Sequence, residues 1–169
     1  ISFSGDLGQK ESIIVKNTDP IKKSDYVVIE STYGDRLHPK IKEREKELAR
    51  VINESYKKGG KLMIPSFAVE RAQEIIYCIS NLQDKGLIPK MPVYLDSPMA
   101  MKATAVFSEH YEYYNDTIAK MLKKRKDVFS FPNLIYTRTT EESKALNDIN
   151  YPCIIIAGNG MCTGGRIKH

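Results

Sequence analysis

The run Tyr26-Val27-Val28-Ile29, with no polar residue between its members, places the strongest constraint on what this chain can fold into. An unbroken β-branched and aromatic run suits a strand covered on both faces, as in a parallel sheet, better than one alternating between core and solvent. Glu30 follows at once. A carboxylate at the C-terminal end of a buried strand lies where open α/β sheets set their ligand crevice, and its charge calls for a partner. Two readings of Glu30 stand side by side: a structural carboxylate held by Arg36 or Arg71, or a functional one that orients another group.

Further along, apolar runs alternate with helical patterns. His38-Pro39 marks a stop, and the spacing of Ile41, Leu48, Val51, Ile52 and Tyr56 predicts a helix over 40–56, with a charged face over 42–47 and an end at Gly59-Gly60. A strand over 61–66 leads into a second helix with the stripe Ala68, Ala72, Ile75, Ile76, Ile79 and Leu82. A strand over 92–95 closes on Asp96, and Ser97-Pro98 has the chemistry of a helix start, hydroxyl cap then proline. Met99, Ala103, Val106 and Phe107 would be that helix's buried face. A continuing helix is expected through Tyr111, Tyr114, Ile118, Met121 and Leu122, ending in the basic run 123–126. Strands over 134–136 and 153–157 flank a short helix over 141–147. Strands alternating with helices predict an α/β fold, an open, mostly parallel sheet of about five strands with helices on both faces. Residues 8–24, polar and rich in Lys, Asn, Asp and Ser, read as a connection.

At 169 residues the chain is sized for one domain. Its 41% hydrophobic and 28% charged residues match soluble globular proteins. No apolar run is long enough for a membrane span and no signal-peptide pattern opens the chain, so a cytoplasmic setting is expected. A net charge of +5 permits a polyanionic partner without requiring one. Cys78, Cys153 and Cys162 have no C-x-x-C spacing and are expected as buried thiols.

The loops Glu30-Ser31-Thr32-Tyr33, Asp96-Ser97 and Gly158-Asn159-Gly160 are expected to share one sheet edge, since parallel strands joined by crossovers end on the same side. Gly158, Gly160, Gly164 and Gly165 around Thr163 suit backbone N–H groups approaching phosphate. A dinucleotide fingerprint fits poorly: the third Gly comes one residue late, and the motif follows the last strand instead of opening the first βαβ unit.

Five stretches taken together, Phe-Ser-Gly-Asp-Leu-Gly (3–8), Ile-Glu-Ser-Thr-Tyr-Gly-Asp-Arg (29–36), Ile-Pro-Ser-Phe-Ala-Val-Glu-Arg-Ala-Gln-Glu (64–74), Leu-Asp-Ser-Pro-Met-Ala (95–100) and Gly-Met-Cys-Thr-Gly-Gly-Arg (160–166), resemble the β-CASP family of metallo-β-lactamase-fold nucleases. That family includes the mRNA 3′-end-processing endonuclease and its bacterial and archaeal relatives. The resemblance implies a Rossmann-like β-CASP domain over 25–169, truncated at its C-terminal end, preceded over 1–24 by a remnant of the metallo-β-lactamase domain and a linker. It implies a parent that hydrolyses RNA phosphodiester bonds with water activated by two zinc ions, single-stranded RNA and the catalytic domain as partners, and homodimerisation left open. By the same resemblance Asp6 is a zinc ligand and Glu30 orients a general-acid His. Ser31, Tyr33, Arg36, Arg71, Gly160, Gly164, Gly165 and Arg166 would line the RNA path, a salt bridge being the alternative for each arginine. Glu70 stands where relatives often carry a small residue. The family's His-x-His-x-Asp-His motif is absent, and His38, His110 and His169 do not replace it. One aspartate cannot hold two zinc ions, so the chain alone is expected to hold no zinc and to be inert. The competing expectation is a noncatalytic α/β module that binds nucleotide or serves as a scaffold in an RNA-processing complex.

Overall fold

A computed structural model of the chain describes residues 1–8, 12–37, 40–123 and 127–169. The stop at His38-Pro39 and most of the basic run 123–126 lie outside the described residues.

Four parallel strands form the main sheet: β3 (Lys61–Pro65), β4 (Val93–Asp96), β5 (Leu134–Tyr136) and β6 (Cys153–Ala157), in the order β3-β6-β4-β5. The last strand in sequence therefore inserts between β3 and β4, pairing Pro65 with Ala157 on one side and Asp96 with Ala157 on the other. Both central strands are buried along their whole length, whereas β3 and β5 at the edges are partly exposed. The unbroken apolar runs follow from that position, since a central strand has two covered faces.

Side chains alternate across the sheet. Val93, Leu95, Ile154 and Ile156 enter the larger core, joined there by Ile52 of α1 (Ile41–Lys57), Ile76 of α2 (Arg71–Asp84), Ala100 of α3 (Pro98–Glu109) and Ile118 of α4 (Asp116–Leu122). Tyr94, Cys153, Ile155 and Ala157 face a smaller cluster closed by Leu146, just after α5 (Thr140–Ala145), and by Ile149 and Ile167. The sheet is covered on both faces, as expected, but unequally.

The two remaining strands, β1 (Ser2–Phe3) and β2 (Val27–Val28), pair in parallel as a separate two-stranded ribbon. The sequence expectation of a buried central strand over 26–29 is overturned: Tyr26, Val27, Val28 and Ile29 are 70, 60, 55 and 61% exposed. An apolar run reports that a strand has two faces to cover; it does not say what covers them. The pairing also crosses the expected boundary at residues 24 and 25.

Other corrections concern helices. The expected continuous helix through Tyr111 and Leu122 is broken at Tyr114, which bridges Val15 in antiparallel fashion, while the Asn115 N–H donates to Ile14 O at 2.9 Å. Ile14, within the stretch read as a polar connection, is fully buried in the larger core. Asn115 then caps α4 by accepting from the Ile118 N–H at 3.0 Å.

In α3 the capping by Ser97 is as expected, its hydroxyl accepting from the Ala100 N–H at 3.2 Å. The expected buried face is kept only in part, with Phe107 packed against the larger core. Met99 and Val106 are 66 and 54% exposed, and Ala100 and Thr104 are buried instead. A polar contact turns the helix: fully buried Gln73 of α2 donates to Thr104 Oγ1 at 2.9 Å and lies 3.3 Å from Ala100 O. Of the cysteines, Cys78 and Cys153 are buried and Cys162 is exposed, because it lies in the loop beyond β6.

Candidate functional site

The carboxyl ends of β3, β6 and β4 lie side by side, and each continues into a polar loop: Ser66-Phe67, Gly158-Asn159 and Asp96-Ser97. Between them opens a cleft of about 470 Å³, lined on its apolar side by Phe67, Pro98 and Met99. This is the crevice position general to open parallel sheets. Two of the three loops expected at one edge, Asp96-Ser97 and Gly158-Asn159, meet there. The Glu30 loop does not belong to that edge, because β2 pairs with β1 and not with the main sheet.

Asp96 is the centre of the edge. It is 2% exposed, and its carboxylate accepts from Thr137 Oγ1 at 2.6 Å, Ser143 Oγ at 2.6 Å and Arg166 Nη1 at 2.8 Å. Arg166 also donates to Thr137 O at 2.8 Å and to Arg138 O at 3.3 Å. A buried carboxylate with three donors is satisfied in the way its burial demands. The pair ties the loop after β6 to the ends of β4 and β5.

That loop closes on itself through Asn159. Its side chain accepts from the Met161 N–H at 3.0 Å and donates to Thr163 Oγ1 at 3.2 Å, while its backbone N–H donates to Gly164 O at 3.3 Å. Gly165 has φ 78°, and a Cβ there would stand 2.6 Å from Gly158 O, so glycine is required on both counts. At Gly160 a Cβ would stand 3.1 Å from the Phe67 ring, whereas at Gly164 it would meet nothing within 4 Å. Beyond the glycines, Arg166 opens a single 3₁₀ turn, Arg166–Lys168.

The stretch 64–74 is mostly structural. Gln73 joins α2 to α3 as described. Arg71, half exposed, pairs with Glu74 at 2.7 Å. Burial pushes the Glu74 carboxyl above its usual range, an effect Arg71 opposes and Glu70 reinforces. Glu70 has φ 65° and ψ −60°, and the Arg71 N–H donates to Val69 O at 2.8 Å across it, a strained γ-turn.

On the ribbon, the parallel pairing brings together two distant stretches. Glu30 Oε1 accepts from the Leu7 N–H at 2.5 Å and Oε2 from Thr32 Oγ1 at 2.7 Å, while the Glu30 N–H donates to Ser4 Oγ at 3.0 Å. The Leu7 amide and then the Thr32 hydroxyl hold the Glu30 carboxyl below its ordinary range. Neither Arg36 nor Arg71 partners it, which corrects the structural reading of Glu30. Arg36 pairs with Asp35 at 3.0 Å and lies 5.5 Å over the exposed Tyr33 ring. Arg36, Arg71 and Arg166 each have a carboxylate partner in the free chain. Asp6 is exposed, beside Leu7 in the chain. Among the described residues no three His, Cys, Asp or Glu side chains gather as a metal site would need. A single exposed carboxylate can be one zinc ligand but cannot complete a zinc centre by itself.

Ser66, Phe67 and Met99 also line the cleft, although sequence reasoning assigned them to no site. Their signal was position: each lies directly after, or one turn beyond, the end of a parallel strand.

Comparison with known proteins places these observations in a family. The model of the Beta-Casp domain matches residues 72–169, more than half of the chain. The chain is 37% identical to Ribonuclease TTHA0252 of Thermus thermophilus, over 99% of its own length and 38% of that protein's. It is 34% identical to the RNase J-like protein of Methanocaldococcus jannaschii, again over 99% of this chain and 38% of the relative. With Endoribonuclease ysh1 of Schizosaccharomyces pombe it shares 30% identity over 98% of this chain and 21% of the relative. The chain therefore spans well under half the length of the curated relatives it matches. With its parallel sheet, its cleft at the strand ends and its glycine loop held by Asn159, the chain belongs to the Beta-Casp domain family.

Proposed function

We propose that this chain is the RNA-engaging domain of a longer, zinc-dependent ribonuclease of the metallo-β-lactamase fold. The observation that carries the reading is similarity over nearly the whole chain to proteins named ribonuclease or endoribonuclease in a bacterium, an archaeon and a yeast. The ribbon supports it. Asp6 and Glu30, far apart in sequence, sit at adjacent strand ends joined through Leu7. Each Glu30 oxygen accepts one hydrogen bond and keeps a lone pair to spare, so an ionised Glu30 can hold and orient a protonated imidazole supplied from outside the chain. Asp6 would be one ligand of a zinc centre whose other ligands also lie outside these residues.

The exposed apolar side chains of the ribbon, Phe3, Val27 and Val28 among them, are the surface that a catalytic domain would cover. We accordingly group the ribbon with that domain and the main sheet with the RNA-engaging one. Single-stranded RNA would pass along Ser31, Tyr33, Arg36 and Arg71, toward the glycines of the loop after β6, with Arg166 shaping that loop from behind.

The test uses the full-length protein with labelled single-stranded RNA after chelation and after zinc is restored. Cleavage is expected only with metal. Glu30→Gln, which keeps the side chain's length and one of its two acceptor oxygens while removing its charge, should lower kcat by about 10²–10⁴-fold, the usual contribution of a general acid–base pair. RNA left intact by the fully metallated protein would overturn the reading and leave a scaffold module in its place.

A further inference from the structure

We propose that the cleft at the ends of β3, β6 and β4 is a nucleobase pocket in which the Phe67 ring is the stacking surface. The inference rests on the ribonuclease reading and deepens it, by saying which part of the strand this cleft takes.

Phe67 is 56% exposed although it follows Ser66, which is buried, and directly continues β3. Leaving a phenylalanine in water forfeits its burial free energy, so packing does not account for it. Its position is nonetheless fixed. The Ser66 N–H donates to Ala157 O at 2.9 Å, extending the β3–β6 ladder, and Phe67 O accepts from the Ala72 N–H at 3.2 Å and from Ser66 Oγ at 3.0 Å. Behind the ring lies Gly160, close enough that a methyl group there would press on it. A ring carried on a backbone held in this way, with Gly160 against it, pays less ordering entropy on binding than one on a free loop. Met99, which the Gln73–Thr104 contact turns out of the core, adds a polarisable thioether on another wall of the cleft.

Charge decides between base and phosphate. Among the described residues, the charged ones lining the cleft are Asp96 and Arg166, and they neutralise each other. Arg166 spends both Nη1 hydrogens on Asp96 and Thr137 O. A phosphate entering here would shed water without gaining a free cation. A nucleobase needs apolar surface for its faces and neutral polar groups for its edge, and the cleft has both. Phe67, Pro98 and Met99 supply the first. Ser97, whose hydroxyl accepts from the Ala100 N–H and keeps its own proton for donation, supplies the second.

The experiment uses the full-length protein, held inactive by chelation, and measures Kd by fluorescence anisotropy for a single-stranded RNA and for versions made abasic at one position at a time. Phe67→Ala should weaken binding about 5- to 150-fold, the range for loss of one base–aromatic stack. Phe67→Tyr should bind within about threefold of the parent, since the π-face is kept. One abasic position should reproduce the loss in the parent protein and cost nothing further in Phe67→Ala. The thermal midpoint of Phe67→Ala provides the folding control. Should the parent protein bind and cut RNA while neither Phe67→Ala nor any abasic position alters Kd, the pocket inference fails and the ribonuclease reading stands. If Phe67→Ala weakens every abasic strand as much as the intact one, the ring does not stack on a base, and the inference is overturned. A parent protein that neither binds nor cuts RNA would sink the ribonuclease reading itself.

Discussion

Asp96→Ala is the sharpest test of how the strand edge is held. The substitution leaves the Arg166 guanidinium, 18% exposed, with two carbonyls and no counter-charge. It strips Ser143 Oγ of its acceptor, while Thr137 Oγ1 keeps only Leu95 O at 3.2 Å. Breaking a buried ion pair from one side costs about 3–5 kcal/mol. For a chain of 169 residues, at roughly 2–4 °C per kcal/mol, the midpoint should fall by about 6–20 °C. A thermal melt followed by circular dichroism would measure that shift, and urea unfolding the free-energy loss, with an unchanged m-value expected. The double variant Asp96→Ala/Arg166→Met should lose at least about 1 kcal/mol less than the sum of the single losses, since the second change removes the orphaned charge. A single-variant loss below about 1 kcal/mol, or strict additivity, would show that the edge is held by something other than this pair.

The glycines of the loop after β6 should separate by position: Gly165→Ala is expected to cost about 2–5 kcal/mol, from its positive φ and the 2.6 Å approach to Gly158 O, while Gly164→Ala stays within about 0.5 kcal/mol. Thermal melts of the two variants side by side would check this. Glu70→Gly should be neutral or stabilising, by up to about 2 kcal/mol, because it relieves the γ-turn at φ 65° at the cost of backbone entropy; a loss above 1 kcal/mol in the same assay would contradict the strain. The Glu74 carboxyl is held above its ordinary range by burial, so the folded state binds its proton more tightly than the unfolded chain. Its contribution to stability is therefore present below the ordinary carboxylate range and lost as pH rises through the raised value. Glu74→Gln should flatten that part of the stability–pH curve, and an unaltered slope would refute the assignment.

Helix α1 was readable because its apolar spacing is local and glycine chemistry stops it. The strands β3 to β6 were readable because short apolar runs bounded by turns permit few alternatives. The start of α3 at Ser97-Pro98 was readable for the same reason, a cap being a contact between near neighbours. Its buried face was not, since two polar side chains from different helices, Gln73 and Thr104, met inside the core and left Met99 outside. The break before Asn115 was hidden likewise: the partner that pulls Tyr114 out of a helix is Val15, a hundred residues away in sequence by order of magnitude. In the site, Arg166 was noticed as a cation beside glycines, but its partner Asp96, seventy positions earlier, was visible only as a strand-end carboxylate.

Local sequence was enough for the alternation of strand and helix, the cap at Ser97, the family and the crevice end of the sheet, because each depends on neighbours a few residues apart or on an ordered set of motifs. Only the tertiary structure decided which strands share a sheet, that 26–29 leaves it for a ribbon with β1, that Glu30 is held by Leu7 and Thr32 instead of an arginine, and that Phe67 stands exposed over a charge-neutral cleft. The reason is physical: a side chain's type records what it needs around it, whereas the partner that meets the need comes from whichever distant segment the packing of the whole chain brings there.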